Sequence, residues 1–372
     1  MNRRSVYAAV FALDKAPAQG ILAHAESDAN SVGASVEDFM KRMPVTSRGW
    51  VVAYSAVALL ATLLTMTATV RTEDARTPRT AAEFDAMFRE INNWRRWGAG
   101  DELGTMNLVT AQKVREAAAL VRRGTTVSLS HNPMPGEAPD NPAGSFKHTM
   151  GASRRTDTYE FTYHGYGVSH MDSLCHFLWN DRLYNDIAAS ASTSTGCGKL
   201  GIQNLKRGIV TRGILLDFAR LKGVPYLEPG TPIYIEDIEA WERRAKIKVS
   251  PGDAIFVRTG RWARRSALGP WQVATSSAGF HASVLPWIKT RGVAIVGSDA
   301  ATDVMPSRVE GVVQPVHTML LAGFGTNIFD NMDLEALAEA AATETRWEFM
   351  LTAGPIPVDG GTGSPLNPIA IF

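Results

Sequence analysis

Cysteine is scarce: Cys175 and Cys197 are the two in 372 residues. One pair makes a single disulfide at most and has no zinc-ligand spacing, so a disulfide scaffold is excluded while the compartment stays open. Excess charge is also missing. With 38 Lys and Arg against 37 Asp and Glu, the formal charge is +1. There is no global basic field of the kind phosphate backbones require, so nucleic acid is not an expected partner. From residue 77 onward the chain has no low-complexity linker, no charge run and no internal repeat, and 77–372 reads as a single unit. What is present is ordinary for a globular protein, with 45% hydrophobic and 20% charged residues, enough for a sizeable core.

One long uncharged stretch runs from Trp50 to Val70, between Lys41, Arg42 and Arg48 on one side and Arg71, Glu73 and Asp74 on the other. It is long enough to span a bilayer, but its apolar centre, Val51 to Leu64, is short, and small residues (Thr67, Ala68, Thr69) follow as in a cleavage region. A secretory signal, a retained anchor and a buried core helix are the alternatives. Residues 1–76 are therefore expected to be an N-terminal extension carrying a signal peptide or membrane anchor, on a protein that is exported (periplasmic or secreted) or membrane-anchored. Met43 opens a short positive run up to Trp50 that reads as an n-region, so a start at Met43 is a further expectation.

Beyond this segment, Thr80 to Trp94 predicts a helix, with Thr80 and Glu83 as a capping box and Phe84, Met87, Phe88 and Ile91 on one face. A second helix is predicted from Thr110 to Arg123, stopped by Gly124. Short Val- and Ile-rich runs bounded by Gly, Pro or Asp predict strands at Thr126–Leu129, Ile209–Leu216, Pro232–Ile235, Ala254–Val257 and Val293–Gly297. Helices are expected at Glu236–Arg244, Ala282–Lys289 and Asp333–Glu344. The fold class is mixed α/β.

The chemistry concentrates between Tyr163 and Phe177, where His164, His170 and His176 accompany Asp172. If the chain around His170 is extended, His170 and Asp172 share a face, because side chains two apart in a strand point the same way. Imidazole and carboxylate converging on one point suit Zn²⁺ or Mn²⁺, and a catalytic ion needs an open position for water. The competing reading is a set of structural histidines hydrogen-bonded near a turn.

His170-X-Asp172-X-X-X-His176, preceded by Ser169, resembles the signature of the cyclase family, which includes kynurenine formamidase and isatin hydrolase and typically reads His-X-Gly-Thr-His-X-Asp-X-Pro-X-His. Further blocks are similar in the right order: Trp97 to Leu108, Thr211 to Asp217, Gly252-Asp253 with Val257 to Gly260, Gly297-Ser298-Asp299, and Gly360 to Pro368. The resemblance implies a swivelling β/β/α fold over 77–372, often assembled as a homo-oligomer. It implies that His170 and Asp172 are metal ligands and that His176 is the general acid/base, with His317 and Asp330 as the downstream histidine and acidic residue.

Departures from the pattern are informative. The family's first ligand histidine falls at Tyr166, while His164 is displaced by two; Val168 stands at its glycine and Leu174 at its proline. Tyr166 could ligate as phenolate or bond to substrate, against a reference pKa near 10, and His164 could reach the site only if Gly165–Gly167 bends. Asp330 stands where glutamate is usual and is one methylene shorter. Arg258 and Asp299, at strand ends, read either as pocket residues or as paired charges at a turn; His131 and His148, in a loop-rich region, read either as lining a substrate pocket or as surface histidines, with the second favoured. Gly360-Gly361-Thr362-Gly363 lacks the lysine and following helix of a phosphate loop, so its glycines are expected to serve a tight turn.

The function this implies is metal-dependent hydrolysis of a carbon–nitrogen amide bond in a small molecule, a formamide or cyclic amide, by metal-bound hydroxide with His176 moving the proton. The alternatives are a lactone hydrolase or cyclase on the same fold, and an exported non-catalytic binding protein with a degenerate metal site.

Overall fold

The computed structural model describes residues 77–142 and 144–372. The uncharged segment at 50–70, the start at Met43 and the extension 1–76 lie outside the described residues. Among the described residues no helix is long and apolar enough to cross a membrane.

The strands, in chain order, begin with β1 (Thr126–Ser128), β2 (Phe146–Met150), β3 (Asp157–Phe161), β4 (His170–Asp172), β5 (Ser192–Thr193), β6 (Gly196–Cys197) and β7 (Ile209–Asp217). There follow β8 (Pro232–Ile233), β9 (Ala254–Arg258), β10 (Gly279–Phe280), β11 (Ile295–Ser298) and β12 (Asn327–Asp330). The last are β13 (Glu348–Ala353), β14 (Gly363–Pro365) and β15 (Ile369–Ile371). Nine of them form one sheet in the order β1-β15-β13-β7-β9-β11-β12-β4-β14. Its centre, β7-β9-β11-β12, is parallel, and the flanking pairs are antiparallel.

Parallel strands covered on both faces read as continuous apolar runs, and the central strands do. In β9, Ile255 and Val257 enter one core while Ala254 and Phe256 enter the other. The same alternation places Val296 and Ile328 on the first face and Ile295 and Phe329 on the second. Two hydrophobic layers thus sandwich the sheet. Gly213 and Gly297 keep it thin: a Cβ at Gly213 would overlap the Phe349 ring, and one at Gly297 would lie 2.6 Å from the Phe256 ring.

Thr80 caps the helix Ala81–Ile91 through the expected capping box with Glu83, and Phe84 and Phe88 are its buried side chains. The helix predicted to run to Arg123 instead ends at Ala118. The reason is tertiary: Arg123 and Gly124 both turn their N–H groups onto the carbonyl of Phe372 at the end of β15. The helix Arg261–Leu268 was not expected from the sequence, because its start at Gly260 has no side-chain cap of its own. Its first turn is anchored by the buried Asp299 carboxylate, which accepts from the N–H groups of Thr259, Gly260 and Arg261. Cys175 and Cys197 form the single disulfide that the sequence permits.

Candidate metal centre

Strand β4 is three residues long and lies between β12 and β14. His170 and Asp172 project from the same face, while Met171 turns into the opposite core. Register then recruits the neighbours. Asp330 on β12 pairs with His170, and Gly363 on β14 pairs with Asp172. His317 arrives on the short helix Pro315–Thr318, which runs directly into the π-helix Met319–Phe324 ahead of β12. The two parts of the sequence motif, some 140 residues apart by number, are joined by the sheet.

His164 also reaches the site. The chain from His164 to Val168 bends, and Nδ1 of His164 comes within 3.0 Å of Oδ1 of Asp172. The bend is held from below, where Nδ2 of Asn331 donates to the carbonyls of Gly165 and Val168 and Arg261 Nη2 donates to the carbonyl of Tyr166 at 2.8 Å. Tyr166 lines the cavity, but its ring packs 5.5 Å from the Arg261 guanidinium. Burial pushes its phenol upward, with Asp330 adding to the effect, so a phenolate ligand is disfavoured.

Each nitrogen that could ligate is turned the right way by its partner. His170 Nδ1 lies 2.9 Å from the carbonyl of Val168, an acceptor that demands N–H there, so that in the neutral ring Nε2 is the free nitrogen, 3.5 Å from Asp172 Oδ1. His317 Nδ1 lies 2.6 Å from Asp303 Oδ2, leaving Nε2 3.2 Å from Asp330 Oδ2 and 4.0 Å from Asp172 Oδ2. Two donor sets therefore share Asp172: His164 with His170, and His317 with Asp330.

Three buried atoms in this cluster have no well-aligned hydrogen-bond partner: His164 Nδ1 and Asp172 Oδ1, which face each other at 3.0 Å, and Asp330 Oδ1. Buried polar atoms without partners are costly, and lone pairs facing one another at such distances ask for a cation between them. A divalent ion fits this donor set. The field agrees. Although burial works against their charged forms, nearby carboxylates raise the pKa of both His170 and His317 above the usual histidine value. His176 differs: burial, together with the surrounding histidines, holds it down at about 4, against the pull of Asp172. It stands with Nε2 4.0 Å from Asp172 Oδ2 and stacks on the His164 ring at 3.7 Å. These groups open onto a cavity of about 290 Å³ whose other walls include Phe177, Ala274, Ala301, Met305 and Val313.

The remaining candidates are structural. Arg258 is paired with Asp217 and Glu335, and Asp299 holds a helix N-terminus. His148 pairs with Asp157 on an exposed hairpin, and His131 stacks on Trp262. Sequence reasoning missed Asp303 and Asn331. Neither lies in a spacing motif, and their partners His317 and Gly165 are 14 and 166 residues away.

A sheet-built α/β domain with imidazoles and carboxylates clustered near one edge of the sheet carries a candidate metal site. Comparison with known families places the domain. The Cyclase family model matches residues 110–303, over half of the chain. A solved structure described as a novel cyclase is 32% identical, with a TM-score of 0.66, over 76% of this chain and 100% of that one. The chain belongs to the cyclase family, and its mixed α/β fold is that family's. More distant are isatin hydrolase A from Ralstonia solanacearum (19% identity, TM-score 0.47, 70% of this chain and 96% of that one) and a structure described as a potential metal-dependent hydrolase with cyclase activity (14%, 0.44, 66% and 96%). At that distance neither bears on the chemistry of this chain. No curated protein matches.

Proposed function

We propose that this protein is a divalent-metal-dependent hydrolase that cleaves the carbon–nitrogen bond of a formamide or cyclic amide. The observation that carries the reading is that two donor sets, His164 with His170 and His317 with Asp330, share the buried Asp172, while His164 Nδ1, Asp172 Oδ1 and Asp330 Oδ1 have no aligned hydrogen-bond partner. His164, His170, Asp172, His317 and Asp330 would hold the ion, and imidazole with carboxylate suits zinc or manganese. A bound divalent ion supplies a Lewis acid for a carbonyl oxygen and lowers the pKa of a water molecule toward neutrality.

The chain's own residues do the rest. His176 is neutral at pH 7 because burial holds its pKa at about 4, so its ring can accept a proton beside the carbonyl and pass it to the departing nitrogen. An amide nitrogen needs that proton before it leaves, which makes a mobile base at this position useful. Stacking on His164 restricts the ring of His176. Phe177, Met305 and Val313 give the cavity apolar walls that exclude water from one side of a small flat substrate.

The test is elemental mass spectrometry on the purified full chain and on H170A, followed by turnover of an N-formyl arylamine, a lactam and a lactone. Zinc or manganese in the wild type, lost in the variant, with amide cleavage that H176A abolishes, is the expected result. Absence of bound metal after reconstitution with both ions would overturn the reading, and so would turnover of the lactone with both amides untouched.

A further inference from the structure

The run Gly360-Gly361-Thr362-Gly363 does more than turn the chain. Gly360 supplies a turn at φ +69°, but Gly363 belongs to β14 and is there for closeness: a Cβ would strike the carbonyl oxygen of Met171 and lie 3.2 Å from Cε1 of His164. The segment is pinned on both sides. Ile202 N donates to the carbonyl of Gly361 at 2.9 Å, Ser173 N donates to that of Thr362 at 2.9 Å, and the Tyr163 hydroxyl donates to that of Gly363 at 3.0 Å. So placed, the Thr362 hydroxyl lies 2.8 Å from Nε2 of His164.

We propose that Thr362 is the positioning residue for His164: its hydroxyl accepts the Nε2 proton and so keeps Nδ1 bare and aimed at Asp172. A neutral imidazole has one N–H, and the partner of one nitrogen decides which nitrogen is left to ligate. His170 and His317 are governed in this way by the Val168 carbonyl and the Asp303 carboxylate. His164 has neither a carbonyl nor a carboxylate at Nε2, and it sits two residues from the place the family pattern assigns to a ligand. The turn just ahead of β14 supplies the missing partner. Its glycines are what allow a hydroxyl at Thr362 to come this close to a ring leaving the bend before β4. The consequence for metal binding rests on the function proposed above; the Thr362–His164 link does not.

Two readouts separate them. In the metal-free full-chain protein, the ¹⁵N shifts of the His164 ring report which nitrogen is protonated. The wild type and T362S should show the Nε2–H form, and T362V, which keeps the shape but loses the hydroxyl, should shift to the Nδ1–H form, because Asp172 Oδ1 lies 3.0 Å from that nitrogen and competes for the proton. Competition against a chromophoric chelator should then show zinc affinity reduced about ten- to hundredfold in T362V. T362S should be close to wild type, and T362V should add nothing on an H164A background. A wild-type ring protonated at Nδ1, or a T362V ring unchanged from wild type, overturns the proposal. So does a T362V loss that adds in full to that of H164A, which would mark a general structural effect. If the wild type takes up neither zinc nor manganese, the proposed function fails, and the tautomer of His164 still decides the role of Thr362.

Discussion

Asp303 and His317 form a buried pair in which Oδ2 lies 2.6 Å from Nδ1. The same carboxylate accepts from the backbone N–H groups of Val316 and His317, at 2.7 and 3.0 Å, and thereby holds the start of the short helix that carries the histidine. One side chain fixes both the ring orientation and its tautomer. In D303N an amide N–H must face one of those three donors. The substitution should lower metal affinity about tenfold or more, measured by chelator competition, with the fold retained by circular dichroism. Unchanged affinity would show that the helix alone sets the ring.

The bend at His164–Val168 puts His164, and not Tyr166, beside Asp172. Y166F should therefore keep its full complement of metal, because the phenol is pushed up by burial and stays protonated. H164A should bind metal more weakly than either. Elemental analysis after dialysis against a weak chelator distinguishes the two, and a Y166F protein stripped of metal would reverse the assignment.

Cys175 is adjacent to His176, and its bond to Cys197 closes a loop with a sequence separation of 22. A loop of that length restricts the unfolded chain by about 3 kcal/mol on the chain-entropy account. The C175S/C197S double variant should lose about that much in urea unfolding. A loss near zero would mean that the hydrogen bond from Cys197 N to the Gly360 carbonyl and the surrounding packing already hold the loop.

Overpacking at the centre of the sheet is the simplest test of the two-layer core. G213A forces a methyl into the Phe349 ring, and the strands on either side leave it nowhere to move. The expected cost is about 1–3 kcal/mol. A neutral result by thermal and urea unfolding would show that Phe349 has another rotamer available.

His281 gives a pH signature away from the metal cluster. Its Nδ1 accepts from Ser283 N at 3.1 Å, a role that only the neutral ring can fill, and burial, with a smaller push from Arg308, lowers its pKa. Below the ordinary value near 6.5 the unfolded chain takes up a proton that the folded chain resists, so the stability this group provides is present above that pH and falls as pH drops through the lowered folded value. H281N retains an acceptor for the cap and does not titrate. The stability difference between wild type and H281N should shrink from pH 7.5 to pH 5.5; a constant difference would mean that the ring takes up its proton equally in the folded and unfolded chain.

How much of this was legible in the sequence depends on the range over which each feature is determined. The capping box of Thr80 and Glu83 and three of the four central strands, β7, β9 and β11, were readable because capping and apolar patterning are set by residues a few positions apart, whereas β12 was not expected. Also readable was the shared face of His170 and Asp172, which needs only an extended chain. Strands β4 and β14 were not readable, being three residues long and paired with partners distant in sequence. The late helix Arg261–Leu268 was missed because its start is held by Asp299 and not by a local cap.

The sequence by itself determined the family, the sheet's apolar strands and the set of histidines and carboxylates available to a metal. The tertiary structure decided which of His164 and Tyr166 faces Asp172, and that Asp303, Asn331 and Thr362 contact His317, the bend at Gly165 and His164 respectively. The physical reason is that a ligand's identity is a property of one residue, whereas its orientation is imposed by hydrogen-bond partners that only folding brings within 3 Å.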